Sequence, residues 1–212
     1  MPDNRGISAI LLAAGSGSRF GGGKLLAPYG GRPLIEASLS NLAEAPIDET
    51  VVIVGDDAGR LRAVCEPYGV CVVENPDWRQ GQSTSVRAGL LALGPEVRAA
   101  VVLLADQPLV GAGAVERLVA AFEEGAEVVV ATYCGRRRNP VLFSRAVWPL
   151  LEAELSGDEG ARAVLQRYPD LATEVPCDGV GNPADVDTAE DLESLERMRE
   201  REHSFKMGKK RA

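Results

Sequence analysis

What most constrains the fold of this 212-residue chain is a series of short, continuous apolar segments set between longer amphipathic ones. Ile7–Ala13, Thr50–Val54, Val70–Val73, Ala100–Ala105 and Glu127–Thr132 are dominated by Val, Ile, Leu and Ala, with no polar residue at every second place. A strand with one wet face alternates; a strand covered on both faces has no need to. Helical patterns fall between these runs, at Pro33–Leu42, Ala58–Glu66, Ser83–Ala92 and Gly113–Glu123. Pro33 suits a helix start, where its missing amide hydrogen is harmless. The β-α-β-α order implies parallel strands joined by right-handed crossovers. The expected class is therefore α/β, a mostly parallel sheet with helices on both faces.

After Thr132 the rhythm changes. Tyr133–Pro140 is rich in Gly, Arg and Asn, and a short strand is expected at Val141–Phe143. Helix-like stretches follow at Ser144–Ala153 and Asp158–Tyr168, then strand-like pieces at Ala172–Pro176 and Ala184–Asp187. Residues 133–183 read as an excursion that adds a second wall to the same domain. A last helix begins near Thr188, a helix cap with Asp191 three residues on, a variant of the capping box. From Arg199 the mixed charges ending in KMGKKRA read as a frayed, solvated tail. The expectation is one domain over residues 1–198 and a charged tail over 199–212.

Composition narrows the function classes. The chain is 45% hydrophobic and 25% charged, and it is long enough to bury a core without disulfides or a structural metal. No apolar run approaches the roughly 20 residues that span a bilayer. A net charge of −8 argues against broad binding to nucleic acid or to an anionic membrane. The opening MPDNRG runs into the first strand without the charged-then-apolar pattern of a secretory signal, which predicts a cytoplasmic protein. Cys65, Cys71, Cys134 and Cys177 are dispersed without CxxC spacing and read as buried thiols. The single histidine, His203, lies in the charged C-terminal run, which argues against Ser-His-Asp or Cys-His catalysis.

The strongest local signal follows the first strand: Leu12-Ala13-Ala14-Gly15-Ser16-Gly17-Ser18-Arg19-Phe20-Gly21-Gly22-Gly23-Lys24. It sits at the carboxyl end of the expected sheet, where open α/β folds bind ligands. Its glycines let backbone amides approach an anion, and Arg19 and Lys24 add two mobile cations. Together they suit a triphosphate. A Walker A loop fails, because Leu25 follows Lys24 where Ser or Thr is needed. A dinucleotide fingerprint fails too, because Phe20 stands at its last glycine.

These residues resemble the MobA-like nucleotidyltransferase family, with its LAAGxGxRxG fingerprint and following lysine. They are most similar to its molybdenum cofactor cytidylyltransferase branch. Gly81-Gln82-Ser83-Thr84-Ser85-Val86-Arg87-Ala88-Gly89-Leu90, Leu104-Ala105-Asp106-Gln107-Pro108, Asn139-Pro140-Val141-Leu142-Phe143, Gly157–Arg162 and Asp185–Leu192 resemble further segments of that branch, in order. The resemblance implies a three-layer, Rossmann-like nucleotide-diphospho-sugar transferase fold. It implies transfer of CMP from CTP to the phosphate of molybdopterin, with Mg²⁺ or Mn²⁺ as cofactor and release of pyrophosphate. Lys24, Arg19 and Asp106 would be catalytic. Leu12, Ala13, Ala14, Gly15, Gly17, Ser18, Arg19, Lys24, Ser83, Ser85 and Asp106 would bind nucleotide. Arg138, Asn139, Pro140 and Arg162 would meet the acceptor, and a molybdenum hydroxylase or its chaperone would receive the product.

Several of these residues make physical sense alone. Asp106 ends a buried strand, and Asp185 and Asp187, two apart, share a face. Carboxylates from two such places can hold one hard cation and leave positions for water and phosphate oxygens. Asp185 is favoured over Asp187, which could instead order the helix that follows. Ser83 could contact the nucleotide or cap its helix. Arg87 could reach a phosphate or lie on a solvated helix face. Arg136–Arg138 could receive a phosphorylated acceptor or form a charged hairpin turn. Trp78 and Trp148 read as packing residues. The resemblance further implies CTP over GTP, because Ala14 stands where the guanylyl branch tends to have glycine and would narrow the space beside the base; Asn139 stands where the branch often carries histidine. Guanylyl or sugar- and polyol-phosphate nucleotidyl transfer, a non-catalytic cofactor carrier, and an NAD-linked oxidoreductase remain as alternatives.

Overall fold

A computed structural model describes residues 6–209. In chain order its strands and helices are β1 (Ile7–Ala13), β2 (Pro28–Tyr29), β3 (Arg32–Pro33), α1 (Ile35–Ala43), β4 (Glu49–Val54), α2 (Ala58–Cys65), β5 (Cys71–Glu74) and α3 (Gln82–Ala92). Then come β6 (Ala99–Leu104), α4 (Ala112–Glu123), β7 (Val128–Tyr133), β8 (Arg136–Ser144), α5 (Trp148–Glu154), α6 (Arg162–Arg167), β9 (Ala172–Pro176) and α7 (Ala189–Lys209). Seven strands form one sheet in the order β5-β4-β1-β6-β8-β7-β9. β5, β4, β1 and β6 run parallel, β9 runs parallel to β7, and β8 alone is antiparallel to its neighbours. β2 and β3 make a separate small hairpin.

Both faces of the sheet are covered, which is why the strands lack alternation. Along β1, Ile7, Ala9, Leu11 and Ala13 pack with Leu39 of α1, Leu61 of α2 and Leu118 of α4. Ile10 and Leu12 point the other way, to Val86 and Leu90 of α3 and Leu151 of α5. The expected mostly parallel, three-layer α/β architecture is what the chain adopts. No helix among the described residues is long and apolar enough to cross a membrane.

Some local expectations are corrected. Pro33 lies in β3, paired with Pro28, and α1 starts at Ile35, because Gly30 and Gly31 turn the chain into a hairpin first. The short strand expected at Val141–Phe143 extends over the whole of β8, because β7 offers its full edge. β6 pairs only with Val141–Ser144, so Arg136–Asn139 overhang it. Ala184–Asp187 is not a strand: it runs beside the turn after β6, with the Asn182 amide on the Leu109 carbonyl (2.9 Å) and the Val186 amide on that of Asp106 (2.9 Å).

The capping box is present. The Thr188 amide donates to Asp191 Oδ2 (2.8 Å) and the Asp191 amide to Thr188 Oγ1 (3.2 Å). From there α7 continues through Arg199 to Lys209, so most of the expected tail is helix, built from Glu, Arg, Met and Lys, which favour that state. Residues 210–212 lie outside the described ones. All four cysteines are free, but only Cys65 and Cys177 are buried. Cys71 lies on the edge strand β5 and Cys134 in the β7–β8 turn, which leaves both exposed.

Candidate active site

The glycine-rich loop leaves β1 and folds back on itself. The amides of Phe20 and Gly22 both donate to the Gly17 carbonyl, at 2.9 and 3.1 Å. Gly17 has φ 59°, and a Cβ there would lie 2.9 Å from Cβ of Lys24. Only glycine lets the loop close tightly enough to set Lys24 against its own beginning. The amides of Gly15, Ser16 and Gly17 make no hydrogen bond among the described residues, which leaves three donors for an anion.

Sheet order then brings acidic residues to this loop. β1 pairs with β6 so that Leu12 faces Leu104, and Asp106 follows two residues later at the same sheet edge. Lys24 Nζ lies 2.7 Å from Asp106 Oδ2 and 3.8 Å from Asp187 Oδ1. Arg19 reaches Asp187 Oδ2 at 2.9 Å. The lysine side chain is only 12% exposed, whereas that of Arg19 is 76% exposed. Lys24 is thus the largely buried cation of the site and Arg19 the exposed one.

Asp185 completes the acidic group. Its Oδ1 accepts from Gln107 Nε2 at 2.6 Å. Desolvation pushes its carboxyl above the usual carboxylate range, and the charges of Asp106 and Asp187 push the same way, against the Gln107 hydrogen bond and Lys24. Asp106 Oδ1 is buried without a hydrogen-bond partner. A bare oxygen beside mutually repelling carboxylates fits a divalent cation, with Asp106 and Asp185 as the donors that would hold it. Among the described residues no cluster of three or more His, Cys, Asp or Glu is arranged to hold a metal. Two carboxylates suit Mg²⁺, which keeps waters and takes up phosphate oxygens.

Beside this group lies a cavity of about 560 Å³. Its apolar wall comes from Leu12, Val102, Leu104, Val130 and Val141 of the sheet, and its polar rim includes Arg138, Asn139 and Arg162. The overhang of β8 beyond β6 creates the space. On the other side α3 meets residues 157–160: a Cβ at Gly81 would lie 2.4 Å from the Gly157 carbonyl.

A family model described as the MobA-like NTP transferase domain matches residues 9–172. The chain belongs to this family. Nucleotidyl transfer is the family's chemistry. Nicotine blue oxidoreductase of Paenarthrobacter nicotinovorans is 33% identical over 199 residues, which cover 89% of this chain and 96% of that protein. Purine catabolism protein PucB of Bacillus subtilis is 29% identical, with 89% and 95% covered. The crystal structure of Rv0371c from Mycobacterium tuberculosis superposes with a TM-score of 0.81 at 31% identity, covering 90% of this chain and 97% of that one. Its complex with manganese gives a TM-score of 0.78 at 30% identity, with the same coverage.

In this MobA-like transferase most of the residues read from the sequence gather at the loop or line the cavity. Gly15, Gly17, Ser18, Arg19, Lys24, Asp106, Asp185 and Asp187 gather at the loop. Asp187 spends its side chain on Arg19 and Lys24, so the ordering of α7 falls to Thr188 and Asp191. Arg138, Asn139 and Arg162 line the cavity, with Leu12 at its back. Pro140 is buried in β8. Ala13 and Ala14 are 2% and 5% exposed, at the root of the loop.

Ser83 and Ser85 do not join them. Both are buried in α3, and Ser85 Oγ accepts from Asn75 Nδ2 at 3.0 Å. Ser83 is not a cap either, since Gly81 occupies that position and Thr84 Oγ1 donates back to its carbonyl at 2.9 Å. Arg87 does neither thing expected of it: its guanidinium donates to the Leu155 carbonyl at 3.2 Å, tying α3 to the end of α5. Arg137 pairs with Glu174 (2.8 Å), whereas Arg138, also at the cavity, donates to the Arg137 carbonyl (3.0 Å) and makes no ion pair among the described residues. Trp148 is buried and Trp78 packs on Gly55, as packing residues should. Asn75 and Gln107 are the residues sequence reasoning missed. Both carry buried amides, and the one hint was Gln107's place directly after Asp106.

Proposed function

We propose that the protein transfers CMP from CTP to the phosphate of a molybdopterin-type acceptor and releases pyrophosphate, with Mg²⁺ as cofactor and Mn²⁺ able to replace it. The observation that carries this reading is Lys24, set at the end of the glycine loop and 2.7 Å from Asp106. In the free protein these charges neutralise one another. When a triphosphate settles on the loop amides, Lys24 turns from Asp106 to the α-phosphate and Arg19 turns from Asp187 to the outer phosphates. Mg²⁺ held by Asp106 and Asp185 would supply charge neutralisation at the phosphates.

An acceptor phosphate oxygen then forms a bond to the α-phosphorus, and the bond from that phosphorus to the bridging oxygen breaks. Pyrophosphate leaves with the electron pair. The acceptor is already ionised at neutral pH, so no histidine base is needed; positioning and fixed charge carry the rate. Arg138 and Arg162 on the cavity rim supply cations for the acceptor's own phosphate.

Support for CTP comes from Ala14, 5% exposed at the root of the loop, whose methyl group would narrow the space beside the base. That wall favours the smaller base. Support for a divalent metal comes from the manganese complex of Rv0371c. A molybdenum hydroxylase, or a chaperone serving one, would take the product. A second reading, an oxidoreductase rather than a transferase, is favoured by the relative at 33% identity, a nicotine blue oxidoreductase.

Pyrophosphate release from CTP and from GTP, with Mg²⁺ and molybdopterin, tests the proposal beside a Lys24→Ala control. Release from CTP, lost in the control, is the expected result. Release from GTP alone would overturn the base assignment. No release from either, with tight NADH binding instead, would favour the oxidoreductase reading; no nucleotide binding at all would leave a carrier protein.

A further inference from the structure

Gln107 follows Asp106 but turns inward, and it is 4% exposed. Its amide nitrogen donates to two acceptors at once, Asp185 Oδ1 at 2.6 Å and the Pro183 carbonyl at 3.1 Å. The orientation of this amide is not open to choice. Rotating it would set Oε1 against two acceptors, so Nε2 must face them. The consequence is visible on the other side, where Gln107 Oε1 is buried with no partner. A buried polar atom without a partner calls for an explanation, and here the opposite atom of the same amide holds two acceptors.

What Nε2 holds is the segment that carries Asp185. Residues 182–187 form no strand; two backbone hydrogen bonds dock them on the turn after β6, from Asn182 to Leu109 and from Val186 to Asp106. Gln107 lies between these two ties and adds the one that ends on the carboxylate itself. The neighbouring residues do not fix Asp185, because Lys24 and Arg19 are engaged with Asp106 and Asp187. Among the described residues Gln107 is the hydrogen-bond partner of the Asp185 carboxylate.

We propose that Gln107 is a positioning residue, whose side-chain amide clamps Asp185 in the orientation needed to share a divalent cation with Asp106. It touches neither substrate nor reacting atoms. Its chemistry is specific: a Glu there would place an anion against Asp185, and a Met would fill the space but hold nothing. This inference rests on the reading of Asp106 and Asp185 as the metal-holding pair.

The test is titration of the whole protein with MnCl₂, following free Mn²⁺ by electron paramagnetic resonance, for wild type, Gln107→Met, Gln107→Asn and Asp185→Asn. Outer partners of metal-holding side chains affect affinity by roughly 10- to 100-fold. Gln107→Met is expected to weaken Mn²⁺ by about tenfold or more. Its kcat at fixed metal should fall and recover as Mn²⁺ is raised, with KM for CTP little changed. Gln107→Asn keeps a polar group but falls one methylene short, and it serves if the Met variant does not fold; the same loss is expected of it. Unchanged Mn²⁺ affinity in a folded Gln107 variant, with affinity lost in Asp185→Asn, would overturn the clamp alone. Unchanged affinity in Asp185→Asn would overturn the metal pair beneath it.

Discussion

Lys24 shows how one residue was legible before any coordinates. Its place after five glycines called for an anion, and the loop does set it at the sheet edge against Asp106 and Asp187. Gln107 shows the limit of such reading. A sequence gives a residue's type, but the partners of a buried amide come from the packing of segments far apart in the chain, here 78 residues. Ser85 shows the same limit: its motif suited a nucleotide, but only the packing of α3 reveals that its hydroxyl accepts from Asn75. Asp185 carries the clearest pH prediction. Its carboxyl titrates above the ordinary 3.8 in the folded protein. The stability that this protonated group supplies is therefore complete below the unfolded value and is lost as pH rises through the folded one. Asp185→Asn removes that loss, while its amide oxygen still accepts from Gln107. In urea unfolding without divalent cations, the variant is expected to gain on wild type as pH rises from about 4. A variant that falls further behind over that range would contradict the assignment.

Among the elements, β1, β4 and β6 were read nearly to their ends, because strands buried on both faces announce themselves as unbroken apolar runs. β8 was not, since its Arg-rich half is held by pairing to β7 and carries no apolar signal of its own. Ala184–Asp187 looked like a strand but packs on a turn, and a pattern of two or three apolar residues cannot separate these cases. The contact between the start of α3 and residues 157–160 was also invisible, and it shapes the cavity mouth. Gly81, at φ 116°, has no room there for a side chain. Gly81→Ala should therefore destabilise the protein by about 1–3 kcal/mol, a typical figure for overpacking. It should also raise KM for the acceptor more than KM for CTP. Steady-state kinetics with a thermal melt checks this; an unchanged melt and unchanged acceptor KM would show that the two segments part easily.

For the whole molecule, the family and its chemistry follow from features that survive in the sequence: a glycine loop after the first strand, acidic strand ends, and a parallel sheet that brings them together. The cavity proposed for the acceptor belongs to the fold alone. It exists because β8 reverses direction and overhangs β6, which no local pattern states. In the proposed reaction the α-phosphate of the nucleotide is the group transferred at Lys24 and Asp106. The most direct measurement uses CTP labelled at the α-phosphate, with Mg²⁺ and molybdopterin, for wild type, Lys24→Ala and Asp106→Asn. Label is expected in the acceptor product with wild type and none with either variant. Label that stays with the nucleotide, or transfer that persists without Lys24, would contradict the proposed reaction.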